Sequence, residues 1–353
     1  MKKEIAIQSR SIDSTNTLLQ AMKTMDEQRV KMLFVFDKDC FMSILTIGDL
    51  QRAIIRNISL STRVSDVLEK NKIFAHVGDS LDEIKQKIIK LRAECMPVLD
   101  DDGNLKTVYF WSDFFPEGIM TSINKPLNIP VVIMAGGKGL RLKPITNVIP
   151  KPLVPVGDKT ILEVIMDNFE SVGCKKFYIS VNYKVEMLKF YLSQLSHHYD
   201  IEFFQEDKPL GTIGSVSLLK GKINTPFIVS NCDIVIEQDY SDVYDYHVKN
   251  GNEITLIAAV KSQSIPYGVV EAGESGLLSE LKEKPENTFM INTGVYILNP
   301  ELISEIPEGE VFHITQLIEK VKQRGGRVGC FPISENAWHD MGEWSEYLKY
   351  IGK

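Results

Sequence analysis

The first 118 residues contain an internal repeat, and this repeat limits the folds that the N-terminal part of the chain can adopt. One copy covers about residues 10–58 and the other about 64–118. In each copy a Thr or Ser precedes an amphipathic helical pattern, which is followed by a short apolar strand, an acidic turn, a second strand and an Asp. The two final Asp residues, Asp49 and Asp113, are 64 positions apart. This register predicts two βαβ-type units stacked as a pseudo-dimer.

The repeated pattern resembles a tandem pair of CBS domains, which are small nucleotide-sensing modules attached to many enzymes. That family ends its second strand with T-x-x-D, whose Thr and Asp contact the ribose of an adenine nucleotide. The first copy has this motif, with Thr46 and Asp49, but the second copy reads Phe110-Trp111-Ser112-Asp113 and lacks the Thr. The resemblance implies at most one such site for an adenine nucleotide effector, and it implies a homodimer. The alternative is that Asp49 and Asp113 only cap helices.

A change in composition predicts the domain boundary. The stretch Pro116–Pro130 holds three prolines and a glycine and shows no helical or strand periodicity. We therefore predict a linker at residues 119–129, between an N-terminal domain of residues 1–118 and a second domain of residues 130–353.

Beyond residue 130, apolar strands alternate with helical patterns, which predicts an α/β fold of the Rossmann-like kind with a mostly parallel sheet covered by helices on both faces. Ligands of such sheets bind beyond the carboxyl ends of the strands. The predicted strands are Val131–Met134, Phe177–Val181, Ile201–Gln205, Phe227–Ser230 and Thr255–Val260, and the predicted helices are Ile161–Val172, Val185–Leu195 and Thr212–Lys220.

A glycine-rich turn follows the first of these strands directly. Gly136, Gly137 and Gly139 carry no side chains, so the backbone N–H groups of this turn can approach phosphate oxygens. The third glycine of a dinucleotide-binding fingerprint is missing and Pro144 interrupts the expected helix, which disfavours a nucleotide-linked dehydrogenase. Arg141 and Lys151 follow on a proline-stiffened loop, and two fixed cations of this kind suit a triphosphate.

The segment from Ala135 to Val156 contains G-G-x-G-x-R-L-x-P-x-T followed by P-K-P-L-V-P-V, and it resembles the signature of the sugar-1-phosphate nucleotidyltransferases. Further segments resemble motifs of that family in the same order along the chain. They are Pro209–Gly214 (P-L-G-T-x-G), Ser230–Asp233, Tyr267–Val270 (Y-G-x-V), Glu283–Pro285 (E-K-P), Asn292–Gly294 (N-x-G) and Trp338–Gly342 (W-x-D-x-G).

The resemblance implies Mg²⁺ as the cofactor, a nucleoside triphosphate and a sugar 1-phosphate as substrates, and roles for individual residues. The implied metal ligands are Asp233 and Asp340, whose carboxylate oxygens suit this hard cation. The implied catalytic residues are Arg141, Lys151, Asp233, Lys284 and Asp340. The implied nucleotide contacts are Ala135, Gly136, Gly137, Gly139, Arg141, Lys151, Leu210, Gly211 and Thr212, and the implied sugar contacts are Gly268, Glu283, Lys284 and Asn292.

The substrates are less constrained than the reaction. A CBS-like pair ahead of a transferase resembles the guanylyltransferases of bacterial legionaminic acid biosynthesis, which implies GDP-glucosamine formation from GTP and glucosamine 1-phosphate. A mannose-1-phosphate guanylyltransferase and a related uridylyltransferase remain alternatives. A non-catalytic nucleotide-sensing subunit is an alternative of another class, but it predicts loss of the charged residues that this chain retains.

Composition limits the partners. The formal net charge of −7 disfavours a nucleic-acid partner, which is usually met by a basic surface. The five cysteines form no CxxC pair, so neither a disulfide framework nor a structural zinc site is expected. No signal peptide or membrane span is recognisable, and we expect a cytoplasmic protein with no membrane partner.

Overall fold

The computed structural model describes residues 7–69, 71–91, 93–114, 126–195 and 199–352. The chain divides into two compact units, Met1–Ile123 and Asn124–Lys353. Most of the segment for which a linker is predicted, residues 119–125, lies outside the described residues. None of the helices in the described part of the chain combines the length and the apolar character that crossing a membrane requires.

The N-terminal unit shows the predicted repeat as two three-stranded sheets of identical topology, in which the first strand is parallel to the second and the second is antiparallel to the third. The first sheet belongs to β1 (Ser11–Asp13), α1 (Leu18–Gln28), β2 (Met32–Asp37), β3 (Cys40–Thr46) and α2 (Ile47–Ile55). The second belongs to β4 (Ala75–His76), α3 (Leu81–Leu91), β5 (Cys95–Leu99), β6 (Leu105–Phe110) and α4 (Trp111–Phe114).

The two repeats share a hydrophobic core. Met32 and Phe34 from the first sheet lie in one buried cluster with Cys95 and Val108 from the second. Since neither small sheet covers its own apolar face, each buries that face against the other.

The C-terminal unit is built on a seven-stranded sheet with the strand order β11-β10-β7-β12-β17-β14-β18. Among the described strands, β17 alone runs antiparallel to its neighbours in this sheet, so the prediction of a mostly parallel sheet is confirmed. The strands are β7 (Val131–Met134), β10 (Lys176–Val181), β11 (Asp200–Gln205), β12 (Phe227–Asn231), β14 (Ile254–Ser264), β17 (Glu286–Leu298) and β18 (Val328–Ser334).

Smaller elements complete this unit. The helices are α5 (Ile145–Val148), α6 (Ile161–Ser171), α7 (Val185–Gln194), α8 (Tyr240–Lys249), α9 (Ile314–Gln323) and α10 (Trp344–Ile351). Three two-stranded ribbons pair β8 (Pro155–Val156) with β9 (Lys159–Thr160), β13 (Ile234–Ile236) with β19 (Trp338–Asp340), and β15 (Val269–Ala272) with β16 (Leu278–Lys282).

Side chains of the sheet alternate between two cores, one on each face, as its strand periodicity requires. Val131 and Ile133 of β7 lie in the core that α6, α7 and α8 cover, whereas Val132 lies in the core that α9 covers. Helices therefore cover both faces, and the ends of the strands are left as the places where a ligand can bind.

One predicted helix is wrong. Instead of an α-helix over Thr212–Lys220, the structure has a short 3₁₀ helix, Gly214–Leu219. Gly211 has a φ of +83°, and the N–H groups of Ile213 and Gly214 both donate to the carbonyl of Phe312, at 3.2 and 3.1 Å. Ile213 has φ −147° and ψ −8°, outside the α-helical region, so an α-helix does not run from Thr212 through this residue.

The outer halves of β14 and β17 leave the sheet together, and with the β15–β16 hairpin they form an extension of residues 261–290, which we call the ribbon. β14 therefore runs to Ser264, four residues beyond its predicted end, because β17 continues to pair with it there. The ribbon is largely exposed, including its apolar side chains Tyr267, Leu277 and Leu281.

Replacing Phe169 with Ala is expected to lower the free energy of unfolding of the C-terminal unit by about 3–5 kcal/mol, because a packed core cannot close around the resulting cavity. Phe169 is 1% exposed, and its ring centroid lies 4.6 Å from that of Tyr240. Urea unfolding measures the effect. The matched control is Phe190→Ala on α7, where the ring is 69% exposed and a change within about 0.5 kcal/mol is expected. Equal effects of the two substitutions would contradict this packing.

Candidate functional site

The glycine-rich turn lies at the carboxyl end of β7, where the predicted site was expected. Gly139 has a φ of +64°, and a Cβ on it would lie 2.8 Å from Thr146 Cγ2 and 3.0 Å from Lys151 Cβ. Thr146 Oγ1 also donates to the Gly139 carbonyl at 2.8 Å. The glycine-rich turn and the loop that carries Thr146 and Lys151, which we call the lysine loop, are therefore packed so closely that only glycine fits at position 139. Gly137 is not packed in this way, since a Cβ on it would meet no atom of the described residues within 4 Å.

Asp233 and Asp340 are brought together by the short antiparallel pair of strands β13 and β19. Ile234 pairs with Asp340 in these strands, and the N–H of Met341 donates to the Asp233 carbonyl at 2.8 Å. Both carboxylates are largely buried. Burial, together with repulsion from Asp233, raises the pKa of the Asp340 carboxyl above its usual range.

Two cations face these carboxylates. The Lys151 ammonium forms an ion pair with Asp233. Arg141 Nη2 lies 3.6 Å from Asp233 Oδ2, and Arg141 Nη1 lies 3.4 Å from Asp340 Oδ2. The structure therefore places four of the five predicted catalytic residues in one cluster, which we call the charged cluster: Arg141, Lys151, Asp233 and Asp340.

Gly342 packs against the charged cluster. A Cβ on Gly342 would clash with Asp233 Oδ2 and would lie 2.8 Å from Lys151 Nζ and 2.9 Å from Arg141 Nη2. Its N–H donates to Asp340 Oδ1 at 2.9 Å. The final glycine of the W-x-D-x-G segment is thus needed for space, since any side chain there would displace charged groups.

The two aspartates fit a magnesium site. A divalent cation between them would relieve the repulsion that raises the pKa of Asp340, and carboxylate oxygens are the ligands this ion prefers. In the described part of the chain, no three His, Cys, Asp or Glu side chains are grouped so as to hold a metal ion. Two protein carboxylates suit Mg²⁺, which usually keeps water and phosphate oxygens as its other ligands.

A cleft of about 340 Å³ opens beside the charged cluster. The indole N–H of Trp338, which lines it, has no hydrogen-bond acceptor among the described residues although the atom is buried. The lining consists of Arg141, Thr212, Asn231, Asp233, Ile234, Asn292, Thr293, Gly294, Tyr296, His313, Ile314, Thr315, Trp338 and Asp340.

The Pro209–Gly214 segment, which contains implied nucleotide contacts and which we call the base loop, lies at the edge of this cleft through Thr212. A Cβ on Gly211 would lie 2.6 Å from the Phe312 carbonyl oxygen, so the positive φ and the close approach both require glycine. Thr212 Oγ1 accepts from the N–H of Ile314 at 2.9 Å. Leu210 is buried behind the loop and pairs its carbonyl with the N–H of Phe312.

The predicted sugar contacts are divided between two places. Asn292 lines the cleft, with Nδ2 donating to the Tyr296 hydroxyl at 2.7 Å. Gly268 and Glu283 lie together on the ribbon, where a Cβ on Gly268 would lie 3.2 Å from Glu283 Oε2. Neither they nor Lys284 belongs to the described lining of the cleft. The structure thus does not bring Lys284 into the charged cluster.

Comparison with known proteins identifies the family of this domain. A family profile described as "Nucleotidyl transferase" matches residues 130–352. The chain belongs to the nucleotidyl transferase family. The profile covers the whole sheet, the cleft and the charged cluster, and it does not extend to the N-terminal repeat.

The chain is similar to the mannose-1-phosphate guanyltransferases of Pichia angusta and Saccharomyces cerevisiae, each 32% identical over 232 residues. These matches cover 62% of this chain and 62% of each relative, so the chain spans less than two thirds of their length. Among solved structures, HddC from Yersinia pseudotuberculosis is 26% identical with a TM-score of 0.51, over 64% of this chain and 98% of HddC. Its complex with GMP-PN matches with 25% identity and a TM-score of 0.50.

One buried carboxylate of this domain, Glu206, was not predicted from the sequence. Glu206 follows β11, and its side chain accepts from Ser180 Oγ at 2.6 Å and from the N–H of Leu210 at 3.0 Å. A Cβ on Gly136 would lie 3.2 Å from Glu206 Oε1. Glu206 therefore connects the glycine-rich turn with the base loop. The E-x-x-P-L-G-T spacing was the available sequence signal.

Lys184 was also missed. It has a φ of +51° at the start of α7, and its ammonium donates to the carbonyls of Asn147 and Val148, at 2.6 Å each. These carbonyls end α5, so a cation there also interacts favourably with the helix dipole. Lys184 thus holds the proline loop that leads to Lys151. A single lysine at a helix start carries no sequence signal for this contact.

The predicted effector residues form a helix cap in the N-terminal unit. Thr46 Oγ1 accepts from the N–H of Asp49 at 3.3 Å, and the Asp49 carboxylate accepts from the N–H of Thr46 at 2.7 Å. Asp49 also forms ion pairs with Lys72 and Arg52. Burial opposes ionisation, but the Lys72 ammonium prevails and lowers the pKa of Asp49. In the second repeat, Asp113 accepts from the N–H of Phe110 at 2.9 Å, so capping is common to both.

Replacing Gly342 with Ala is expected to reduce kcat/KM for nucleotidyl transfer about a hundredfold, because displacement of reacting groups by about 1 Å has effects of this size. Steady-state kinetics measure it, and circular dichroism verifies the fold. Gly273→Ala is the control, since a Cβ there meets its neighbours only at 3.7 Å. An active Gly342→Ala enzyme would show that the charged cluster tolerates displacement.

Proposed function

We propose that this protein transfers the nucleotidyl group of a nucleoside triphosphate to a sugar 1-phosphate and releases pyrophosphate. The observation that carries the proposal is the charged cluster, in which Arg141 and Lys151 meet Asp233 and Asp340 beside a cleft. Two cations suit the phosphate charge, and two carboxylates suit a magnesium ion.

In the proposed reaction, an oxygen of the sugar phosphate attacks the α-phosphorus of the nucleotide. A new P–O bond forms, the bond from the α-phosphorus to its bridging oxygen breaks, and pyrophosphate leaves with that oxygen. The attacking oxygen is already ionised at neutral pH, so no general base is required. Arg141 and Lys151 stabilise the charge of the α-phosphate and of the departing pyrophosphate, as phosphoryl-type transfers require. Magnesium bound to Asp233 and Asp340 would supply further charge neutralisation at the phosphates.

The sugar is proposed to occupy the cleft next to this cluster. Asn292 lines the cleft and offers its side-chain amide to the sugar hydroxyls. Glu283 and Lys284 lie on the ribbon, and they are proposed to contact the sugar hydroxyls and the sugar phosphate from that side. For Lys284 to hold the attacking phosphate, its side chain must extend from the ribbon over the cleft.

GTP is the proposed nucleotide. The names of the two relatives above, both guanyltransferases, support GTP over UTP.

For the sugar, we propose glucosamine 1-phosphate, which would give GDP-glucosamine for legionaminic acid biosynthesis. The proposal is supported by the order of the domains, because a repeat placed ahead of a transferase unit resembles the arrangement in the enzymes of legionaminic acid biosynthesis. Mannose 1-phosphate is the alternative, and the relatives' names favour it.

Pyrophosphate release with Mg²⁺ should be measured with each nucleoside triphosphate against glucosamine, N-acetylglucosamine, mannose and glucose 1-phosphates. GTP with glucosamine 1-phosphate is expected to be the most active pair. Asp233→Asn is expected to lower turnover by about three orders of magnitude, since it removes a charged ligand of the magnesium ion that neutralises the phosphates. The control is Asp242→Asn on α8, outside the cleft.

Different outcomes of this grid separate the alternatives. If the most active pair contains mannose 1-phosphate or UTP, the proposed reaction stands and the proposed substrate is wrong. Nucleotide binding without turnover of any pair would contradict the proposal and favour a nucleotide-sensing subunit.

We also propose that an adenine nucleotide binds near Thr46 and Asp49 and changes transferase activity. A ribose at Asp49 would have to displace Lys72 and Arg52, which would free two cations for the nucleotide phosphates. AMP, ADP and ATP should each shift activity in the wild type, and Asp49→Asn should weaken that effect about tenfold, since a charged hydrogen bond contributes about 1.5–3 kcal/mol. Asp113→Asn is the matched control. An unchanged effector response in Asp49→Asn would eliminate this site.

A further inference from the structure

Glu343 lies at the entrance of the charged cluster without having a role in the proposed reaction. It occupies the N-cap position of α10, yet its side chain makes no capping hydrogen bond to that helix. Its carboxylate instead forms an ion pair with Arg141 Nη1. A Glu at this position would ordinarily be free in solvent or turned to the helix N–H groups, so its contact with Arg141 needs an explanation.

The three carboxylates around Arg141 differ in exposure. The side chain of Asp233 is 7% exposed and that of Asp340 is 17% exposed, whereas that of Glu343 is 46% exposed. Of the three, Asp340 ends β19 and Asp233 directly precedes β13, so these two carboxylates lie together where a magnesium ion fits. Glu343 therefore remains a free anion when the metal binds the other two.

This leaves Arg141 with two competing partners once substrate is present. Magnesium would neutralise Asp233 and Asp340, and the polyphosphate would attract Arg141. The Glu343 carboxylate then attracts the same guanidinium, and it also repels the phosphate oxygens. Both effects oppose retention of the polyphosphate.

We propose that Glu343 is a positioning residue that competes with the pyrophosphate group for Arg141 and so promotes release of pyrophosphate. This inference rests on the proposed function, in which Arg141 holds the departing pyrophosphate. When pyrophosphate leaves, Arg141 returns to Glu343, and the cation is not left without a partner. The residue acts through Arg141 and does not touch the reacting atoms.

The sign of the effect distinguishes this role from a structural one. Loss of a residue that merely supports the site would weaken binding of pyrophosphate, whereas loss of a competitor strengthens it. Since the Arg141–Glu343 pair is half exposed, its removal is expected to tighten binding only about two- to fivefold. Because exposed charges are screened, the difference should shrink as salt increases.

The test is calorimetric titration of the full-length protein with inorganic pyrophosphate in excess Mg²⁺. Glu343→Gln is expected to lower the Kd two- to fivefold at low salt, with a smaller difference at high salt. Glu346→Gln is the matched control, because Glu346 lies on the same helix and pairs with Lys349 at 2.7 Å. It should leave the Kd unchanged. In product-inhibition kinetics, Glu343→Gln should lower the inhibition constant of pyrophosphate to the same extent.

An unchanged or higher Kd in Glu343→Gln, or equal tightening in Glu346→Gln, would overturn the inference. Titration does not need turnover, so its result is separate from the substrate grid. Tightening without turnover of any substrate pair would refute the proposed function alone. Turnover without tightening would refute the role of Glu343 alone, and absence of pyrophosphate binding to the wild type would refute both.

Discussion

The candidate site depends on the antiparallel pairing of two very short strands, β13 and β19. Their register places Asp340 beside Ile234, and the hydrogen bond from Met341 to the Asp233 carbonyl closes the pair. Two carboxylates that are 107 positions apart in the sequence thereby share the Arg141 guanidinium, and Lys151 pairs with Asp233. Gly342 keeps this space free of side-chain atoms. Without the pairing, the cations of the lysine loop would face only one of the two carboxylates.

The electrostatics of the resting site follow from this arrangement. Arg141 and Lys151 contribute two positive charges, and Asp233, Asp340 and Glu343 contribute three negative charges. The ligands proposed for this site are a divalent cation and a polyanion. If either bound alone, it would leave some of these charges unpaired in a partly buried place, which is unfavourable. If both bound together, the cations and the carboxylates would exchange partners without loss of neutralisation.

Most of the site residues that could be predicted from the sequence belong to short local motifs. The glycines, Arg141 and Lys151 could be identified because the same turn places them together, and the parallel sheet followed from alternating periodicities. Contacts of Lys184 and Glu343 could not be predicted, since each is made with a segment distant in the sequence. The α-helix predicted from Thr212 is wrong because the backbone of Ile213 is not helical, which apolar periodicity does not reveal. The position of Lys284 on the ribbon depends on how far β14 and β17 extend, which strand periodicity does not determine.

The ribbon has a consequence for how this fold can diversify. Its strands leave the sheet at about residue 261, so its sequence is free of the packing demands that fix the sheet interior. Gly268, Glu283 and Lys284 lie on it, whereas the charged cluster is held by buried strands and glycine turns. Under the proposed function, substitutions, insertions or changes of length in the ribbon would therefore alter the contacts to the sugar and its phosphate without disturbing the charged cluster. The residues proposed to select the sugar and those proposed to carry the reaction could thus change independently of each other within one domain.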